Sequence, residues 1–273
     1  MKGSGRSRRH VSPNGGPLLV QEGTGYATIL FNRPEVMNAI TSRMWEELPQ
    51  VVKDLAARPS VHVLIFRGVG GEAFAAGADI SELSAFADLK KAKVYYRLLE
   101  EALEAIASCP LPTIAMIDGY ALGGGFEVAL ACDIRVASTR SRLGIPAAKL
   151  GAAVDLQSLV RLMSLVGPAH AKELLFTGRP VEAKRAFEIG LLNHVVPPKA
   201  LERVVLEITE AIARNAPLTV RASKVLLSKQ AGLFASGLRQ EAEAFFIACF
   251  ESLDFREGVE AFLAKRSPRF TGR

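Results

Sequence analysis

The chain has 273 residues, 49% of them hydrophobic and 23% charged, with a formal net charge of +6 at pH 7. This is a globular composition, long enough for one large domain or two smaller ones. No apolar stretch approaches the length that crosses a bilayer, and MKGSGRSRRH at the N-terminus lacks the apolar region of a secretory signal. Lys2, Arg6, Arg8 and Arg9 lie in a Gly/Ser-rich segment, so the excess positive charge belongs to a tail (1–16) read as disordered and the rest is only mildly basic. That argues against nucleic acid, which calls for a basic stripe with aromatic platforms, and suits a small polyanion equally well. The tail is acid-free and bears Arg and Ser, as organelle-targeting segments do, but has no apolar helical face. Cys109, Cys132 and Cys249 are odd in number and sit in apolar surroundings, so they read as buried thiols of a reducing compartment, cytoplasmic or an organelle matrix.

GYATILF (25–31) reads as a strand and RPEVMNA (33–39) as a loop. Met44, Leu48, Val51 and Leu55 form a helical stripe over 41–57. Pro49 falls inside it, at a cost of ~3 kcal/mol unless the helix kinks, which predicts a distortion near Glu46. VHVLIF (61–66) is a continuous β-branched apolar run, the mark of a strand buried on both faces. A loop, GVGGEAFAAGAD, follows it, then a helical pattern over 88–108. TIAMID (113–118) and DIRVA (133–137) are further strands. From about residue 155 the pattern is helical, with stripes Leu201, Val204, Ile208, Ile212 and Phe255, Val259, Phe262, and no strand longer than LNHVV (192–196). Alternation of strands and helices gives α/β, with no close internal repeat. The organisation is an α/β core (17–198) and a helical C-terminal part (199–273).

Two glycine-rich segments carry chemistry. GYALGGGFEVALACD (119–133) places Gly123 to Gly125 between a strand and an apolar helix, where backbone amides point outward unpaired and favour negative charge. Glu127 would lie in the first turn beside them. Taken alone, the stretch is better explained by a glycine-rich turn followed by a glutamate that favours the positive helix end. It meets neither the dinucleotide fingerprint nor the P-loop. FAAGADISE (74–82) also follows a buried strand. Asp79 with Glu82 resembles a capping box, and a second outward amide at Ala78 would complete an oxyanion hole. His10, His62, His170 and His194 are scattered without ligand spacing, so no metal is expected.

FNRPEVMNAI, AFAAGADI, IDGYALGGGFEVALACDIRVA, LFTGRPVEAKRAFEIGLLNHVV and FLAKRSPRF together resemble the enoyl-CoA hydratase/isomerase, or crotonase, family, over residues 18 to 270. The resemblance implies a spiral of ββα units, a helical C-terminal part used in trimer formation, often a dimer of trimers, and acyl-CoA thioesters as substrates, with CoA part of the substrate and no separate cofactor. It would make the amides of Ala78 and Gly124 the oxyanion hole. Ala76 and Ile80 would lie near the adenine, the Val36–Ala39 loop along the CoA chain, and Phe262 and Lys265 beside the nucleotide, from the same or a neighbouring subunit. Of the two glutamates that hold water in the typical hydratase, the first matches Glu127. The second falls in LGIPAAKLG, where this chain has Ala147. One positioned acid or base is worth typically ~10²–10⁴ in rate, so a chain with Ala147 and no substitute should be a poor standard hydratase. Asp155 is a candidate substitute, and equally the N-cap of the helix that starts at Leu156. Hydration of a 2-enoyl-CoA is the family's default. Isomerisation, decarboxylation or thioester hydrolysis needs a single positioned carboxylate, and a non-catalytic acyl-CoA-binding or RNA-binding relative is the reading from another class.

Overall fold

The computed structural model describes residues 16–83, 89–150, 152–228 and 252–273. Residues 1–15 of the basic tail and Cys249 lie outside them, as do the side chains of Ile80, Phe255, Val259 and Phe262.

The main sheet opens with an antiparallel hairpin, β1 (Leu18–Gly23) and β2 (Gly25–Phe31), in register from Leu18↔Phe31 to Gly23↔Tyr26. Three strands then add in parallel in chain order: β3 (Val61–Gly68), β5 (Thr113–Ile117) and β7 (Ile134–Ser138). β10 (His194–Val196) pairs parallel with β7 and closes the order β1-β2-β3-β5-β7-β10. After β3, β5 and β7 the chain runs into a second, smaller sheet of very short strands: β4 (Ala73–Ala75), β6 (Tyr120–Leu122) and β8 (Arg142–Gly144), with β9 (Val181–Glu182) antiparallel to β8. A helix returns the chain each time, through α2 (Ile80–Leu83) and α3 (Leu89–Ala107), then α4 (Gly124–Ala131), then α5 (Ala147–Leu150) and α6 (Leu156–Thr177). Each turn is therefore strand, strand, helix. The topology is repetitive where the amino-acid sequence is not.

The continuous apolar strands are buried on both faces because each face meets a different layer. Leu64 and Phe66 of β3 join the larger core with α1 (Ser42–Ala56), α3 and α4, which includes Trp45, Leu103 and Phe126. Val63 and Ile65 join a smaller core with Ile114, Met116 and Val136, closed by Leu201 and Val205 of α8 (Pro198–Ala213). Two cysteines, Cys109 and Cys132, are buried and free, and the larger core holds both. A further helix, α9 (Pro217–Ser228), sends Lys224 back to the core, where its Nζ donates to Asp133 Oδ2 at 2.7 Å and to the Leu111 carbonyl at 2.9 Å.

Two expectations fail here. α1 runs unbroken past Pro49 with no distortion at Glu46. The proline removes the N–H that Trp45 carbonyl would have accepted, and the helix is held instead by its buried face, Met44, Trp45, Leu48, Val52 and Leu55. Glu82 does not reach back to Asp79: its Oε2 accepts from Ser42 N and Oγ at 2.8 and 2.6 Å, so it finishes the N-terminus of α1, beside the Thr41 cap. Asp79 accepts from Ser81 N at 2.9 Å without that partner.

Candidate active site

The site lies where the ends of β4 and β6 meet. Past β4, Ile40 forms a parallel bridge with Ala78, donating to the Gly77 carbonyl at 2.8 Å and accepting from Asp79 N at 3.1 Å. The flanking peptide groups are thus used on the Ile40 side, and the Ala78 N–H turns the other way; the described residues supply no acceptor for it. Past β6, Gly123 (φ +48°) turns the chain into α4 and offers no side chain to cap it. Its own N–H donates to the Gly144 carbonyl at 2.9 Å and its carbonyl accepts from Glu127 N at 2.9 Å. The Gly124 amide, the first of the helix, has no acceptor among the described residues, as the first helical amides do not. The two loops touch: a Cβ built on Gly77 would stand 3.7 Å from Gly123 Cα, and one on Gly123 3.5 Å from Gly77 Cα. The glycines at 124 and 125 are steric requirements. A Cβ at Gly125 would overlap the Ala75 carbonyl, and one at Gly124 would come within 2.8 Å of Trp45 Cζ2.

Glu127 lies one turn into α4, 6% exposed, its Oε2 3.8 Å from where a Gly124 Cβ would be. Burial, and then the negative charge of Asp155, push its carboxyl up to about 8. Asp155 is 3% exposed and is indeed the N-cap of α6, its Oδ1 accepting from Ser158 N at 2.9 Å. Its Oδ2 is buried with no partner among the described residues. The cap uses half of the carboxylate. Ala147 opens α5 and packs against the main core, bringing no polar group to the site.

Other loops fix these. Arg33 Nη1 stands 2.6 Å from Asp79 Oδ2 and donates to the Ala39 carbonyl at 2.8 Å. Bonds from Ser81, with Arg33 beside it, hold the Asp79 carboxyl below its usual range. Asn38 (φ +58°), fully buried, donates to the Val69 and Ala73 carbonyls at 2.9 and 2.8 Å. The Ala76 N–H donates to the Met37 carbonyl at 3.0 Å. The Val36–Ala39 loop thus borders the segment from Ala76 to Ala78, with Val36 exposed and Ala39 buried, and Ile80 opens α2 two residues further on. Lys265 is exposed, in a left-handed conformation (φ +53°), just beyond α10 (Leu253–Leu263), which contains Phe262. The bonds described for this segment run to residues 266–273, such as Glu257 to Arg266 and Asp254 to Thr271 and Gly272, and not to the three loops. Phe262 and Lys265 thus lie in and just beyond α10, and the Phe262 side chain is outside the described residues.

Two residues of the site have no local sequence signal. Trp45, fully buried, floors the Gly124 turn and donates from Nε1 to the Tyr95 hydroxyl at 3.2 Å. Burial raises the Tyr95 hydroxyl well above its ordinary range, the Trp45 bond offsets part of this, and the charges of Glu127 and Glu82 add to it. Among the described residues no three His, Cys, Asp or Glu side chains gather as a metal requires, and no helix is long and apolar enough to cross a membrane.

Two amides without an acceptor among the described residues, at touching strand ends, and two buried carboxylates at the starts of α4 and α6 make up the candidate site. The family model described as Enoyl-CoA hydratase/isomerase matches residues 21–273. The chain is 37% identical over 262 residues to the enoyl-CoA isomerase/hydratase fer4 of Mycosarcoma maydis, covering 92% of this chain and 94% of the relative. It is 36% identical over 250 residues to the short-chain-enoyl-CoA hydratase of Clostridium acetobutylicum, covering 91% and 95%. The crystal structure of the enoyl-CoA hydratase from Bacillus anthracis superimposes with a TM-score of 0.89 at 33% identity, covering 94% of this chain and all of that one. The chain belongs to the enoyl-CoA hydratase/isomerase family, and its fold is that family's ββα spiral.

Proposed function

We propose that this protein binds an acyl-CoA thioester, holds the thioester oxygen with the amides of Ala78 and Gly124, and hydrates a 2-enoyl-CoA. The observation that carries the reading is the pair Glu127 and Asp155: two buried carboxylates close enough for one to hold the other's proton on. Glu127, held up to about 8, keeps its proton near neutrality and can act as the acid. Asp155, through its free Oδ2, accepts a proton from water as the water oxygen bonds to Cβ. Glu127 delivers its proton to Cα of the enolate, whose charge rests on the two amides. The pair then returns to its starting state by passing one proton from Asp155 to Glu127. Each amide is worth ~10²–10³ in rate by analogy with other oxyanion holes.

CoA would run along the Val36–Ala39 loop with its adenine near Ala76 and Ile80. Phe262 and Lys265, in and just beyond the last helix, would serve the nucleotide of the same or a neighbouring subunit, in a homotrimer or dimer of trimers. Lys265, exposed, would meet its phosphates.

A second reading is double-bond isomerisation, in which the same base takes a proton from the carbon chain and the same acid returns one. Ala147 favours it, because isomerisation holds no water. A panel of saturated, 2-enoyl, 3-enoyl and β-carboxy acyl-CoAs followed by mass and by chromatographic separation of the enoyl isomers separates the two. Hydration adds one water to the 2-enoyl ester; isomerisation moves a 3-enoyl ester to a 2-enoyl ester of the same mass. If none changes while CoA esters still bind, the enzyme reading fails.

A further inference from the structure

Among the described residues three buried polar side-chain atoms lack a hydrogen-bond partner, and all three fall in one short stretch: Asp155 Oδ2, Ser158 Oγ and Arg161 Nη1. The large majority of buried polar side-chain atoms are hydrogen-bonded to protein or ordered water, so three orphans in one place point to something that completes them. Asp155 faces Glu127, whose carboxyl its charge helps to raise. Ser158 and Arg161 follow at intervals of three, on neighbouring rows of the helix that packs against α4. Ser158 is 0% exposed and Arg161's side chain 17%. Arg161 lies six residues beyond Asp155, about 9 Å along the axis, but helical side chains lean toward the N-terminus, which brings the guanidinium back toward Ser158. Its outer nitrogen, Nη2, donates to Glu104 Oε2 of α3 at 3.2 Å, and Glu104 is largely exposed. Exposed pairs of this kind are weak, and this one leaves the buried edge of the guanidinium unused.

We infer that Ser158 and Arg161 form the polar end of the acyl-group site, which takes an acyl-CoA bearing a second carboxylate a few carbons beyond the reacting bond. The inference rests on the acyl-CoA reading above and names its substrate class. A carboxylate accepts at once from Arg161 Nη1–H and Ser158 Oγ–H, and a charged acceptor is the strongest partner a buried guanidinium edge can have. An apolar chain would seal both donors away from water with nothing to accept from them. Asp155 opposes a second negative charge at its own end of the helix and so directs it toward Arg161. The other acids facing this region, Glu100 and Glu104 of α3, are on the solvent side, where the Tyr96 hydroxyl and Arg161 Nη2 donate to them.

The test is calorimetric binding of glutaryl-CoA and pentanoyl-CoA, saturated esters of equal chain length that cannot be hydrated. The expected result is a preference for glutaryl-CoA of roughly 10- to 100-fold, the usual worth of a hydrogen bond to a charged group. In Arg161→Met this preference shrinks to within about threefold, Arg161→Lys restores part of it, and Ser158→Ala lowers it several-fold. Should Arg161→Met fail to fold, Ser158→Ala carries the test alone, and an unchanged preference there overturns the assignment. Equal binding of the two esters by the unaltered protein also overturns it, leaving ordered water as the partner of these atoms. Binding of neither removes the acyl-CoA reading and this inference with it.

Discussion

Two helix N-termini meet at the site, and they are finished differently. α6 is closed by Asp155, whose carboxylate takes the Ser158 amide. α4 begins at glycines, with no side chain over its first amides, and a Cβ there would strike Trp45 or the Ala75 carbonyl. An isolated helix would be destabilised by the second arrangement, with Gly123 at the cap position, by roughly a few tenths of a kcal/mol relative to a side-chain-capped end. The fold keeps it because α4 is buried along its whole length, from Gly124 to Ala131. A helix end that packing already holds can leave its amides to a ligand. One that a side chain must hold can lend the site only what the cap does not use.

The largest expected effect breaks the uncapped end. Gly124→Ala drives a methyl into Trp45 Cζ2, which is buried and unable to retreat, and displaces the amide. Turnover should fall by ~10²–10³ with CoA-ester binding largely kept. Steady-state kinetics beside calorimetry check this, and unchanged turnover would detach Gly124 from the oxyanion.

The capped end separates into its two halves next. Asn caps as well as Asp, so Asp155→Asn should leave thermal stability nearly unchanged while reducing turnover by ~10² or more, whereas Asp155→Ala adds a loss of ~1 kcal/mol. The pH profile carries the same signal. Glu127, held up to about 8 by burial and then by Asp155, keeps its proton in the folded chain after the unfolded chain has lost it near 4.5. Its contribution to stability is complete at low pH and is lost as pH rises through about 8, and activity that needs its proton declines over the same upper limb. In Asp155→Asn the limb should move to lower pH, in part only, since burial is the larger cause. A limb that stays in place would mean that the two carboxylates are not coupled.

The smallest effect is a control. Thr41→Ala removes the side-chain cap of α1, where Thr41 Oγ1 accepts from Met44 N at 3.3 Å. It should lower stability by roughly 0.5–2 kcal/mol in denaturant titrations and leave the pH profile alone.

The sequence showed the main sheet well and the second sheet not at all. Val61–Gly68, Thr113–Ile117 and Ile134–Ser138 are runs of apolar, β-branched residues, since each is covered on both sides. Ala73–Ala75, Tyr120–Leu122 and Arg142–Gly144 are three residues each, too short for any period to show, and FAA reads as loop. Of the candidate site, the glycines at 123–125 and the lone acid Glu127 stand out in apolar surroundings, whereas Asp155 becomes a candidate only through the Ala147 departure from the family pattern. Trp45 and Tyr95 do not stand out, as their partners are distant in the chain: the Trp45–Tyr95 bond spans fifty positions. Pro49 and Glu82 misled for the same reason. A local rule assigned each an outcome that packing from another element decided.

The contact between Gly77 and Gly123 has a consequence for how such a protein can diverge. Main chain rests on main chain there, so the separation of the Ala78 and Gly124 amides is set by atoms that every amino acid shares, and substitution elsewhere leaves it alone. The side chains of α6 are under no such main-chain constraint, and on the proposed reading a lineage could trade one acyl group for another by changing Ser158 and Arg161 while the amide pair stayed in place.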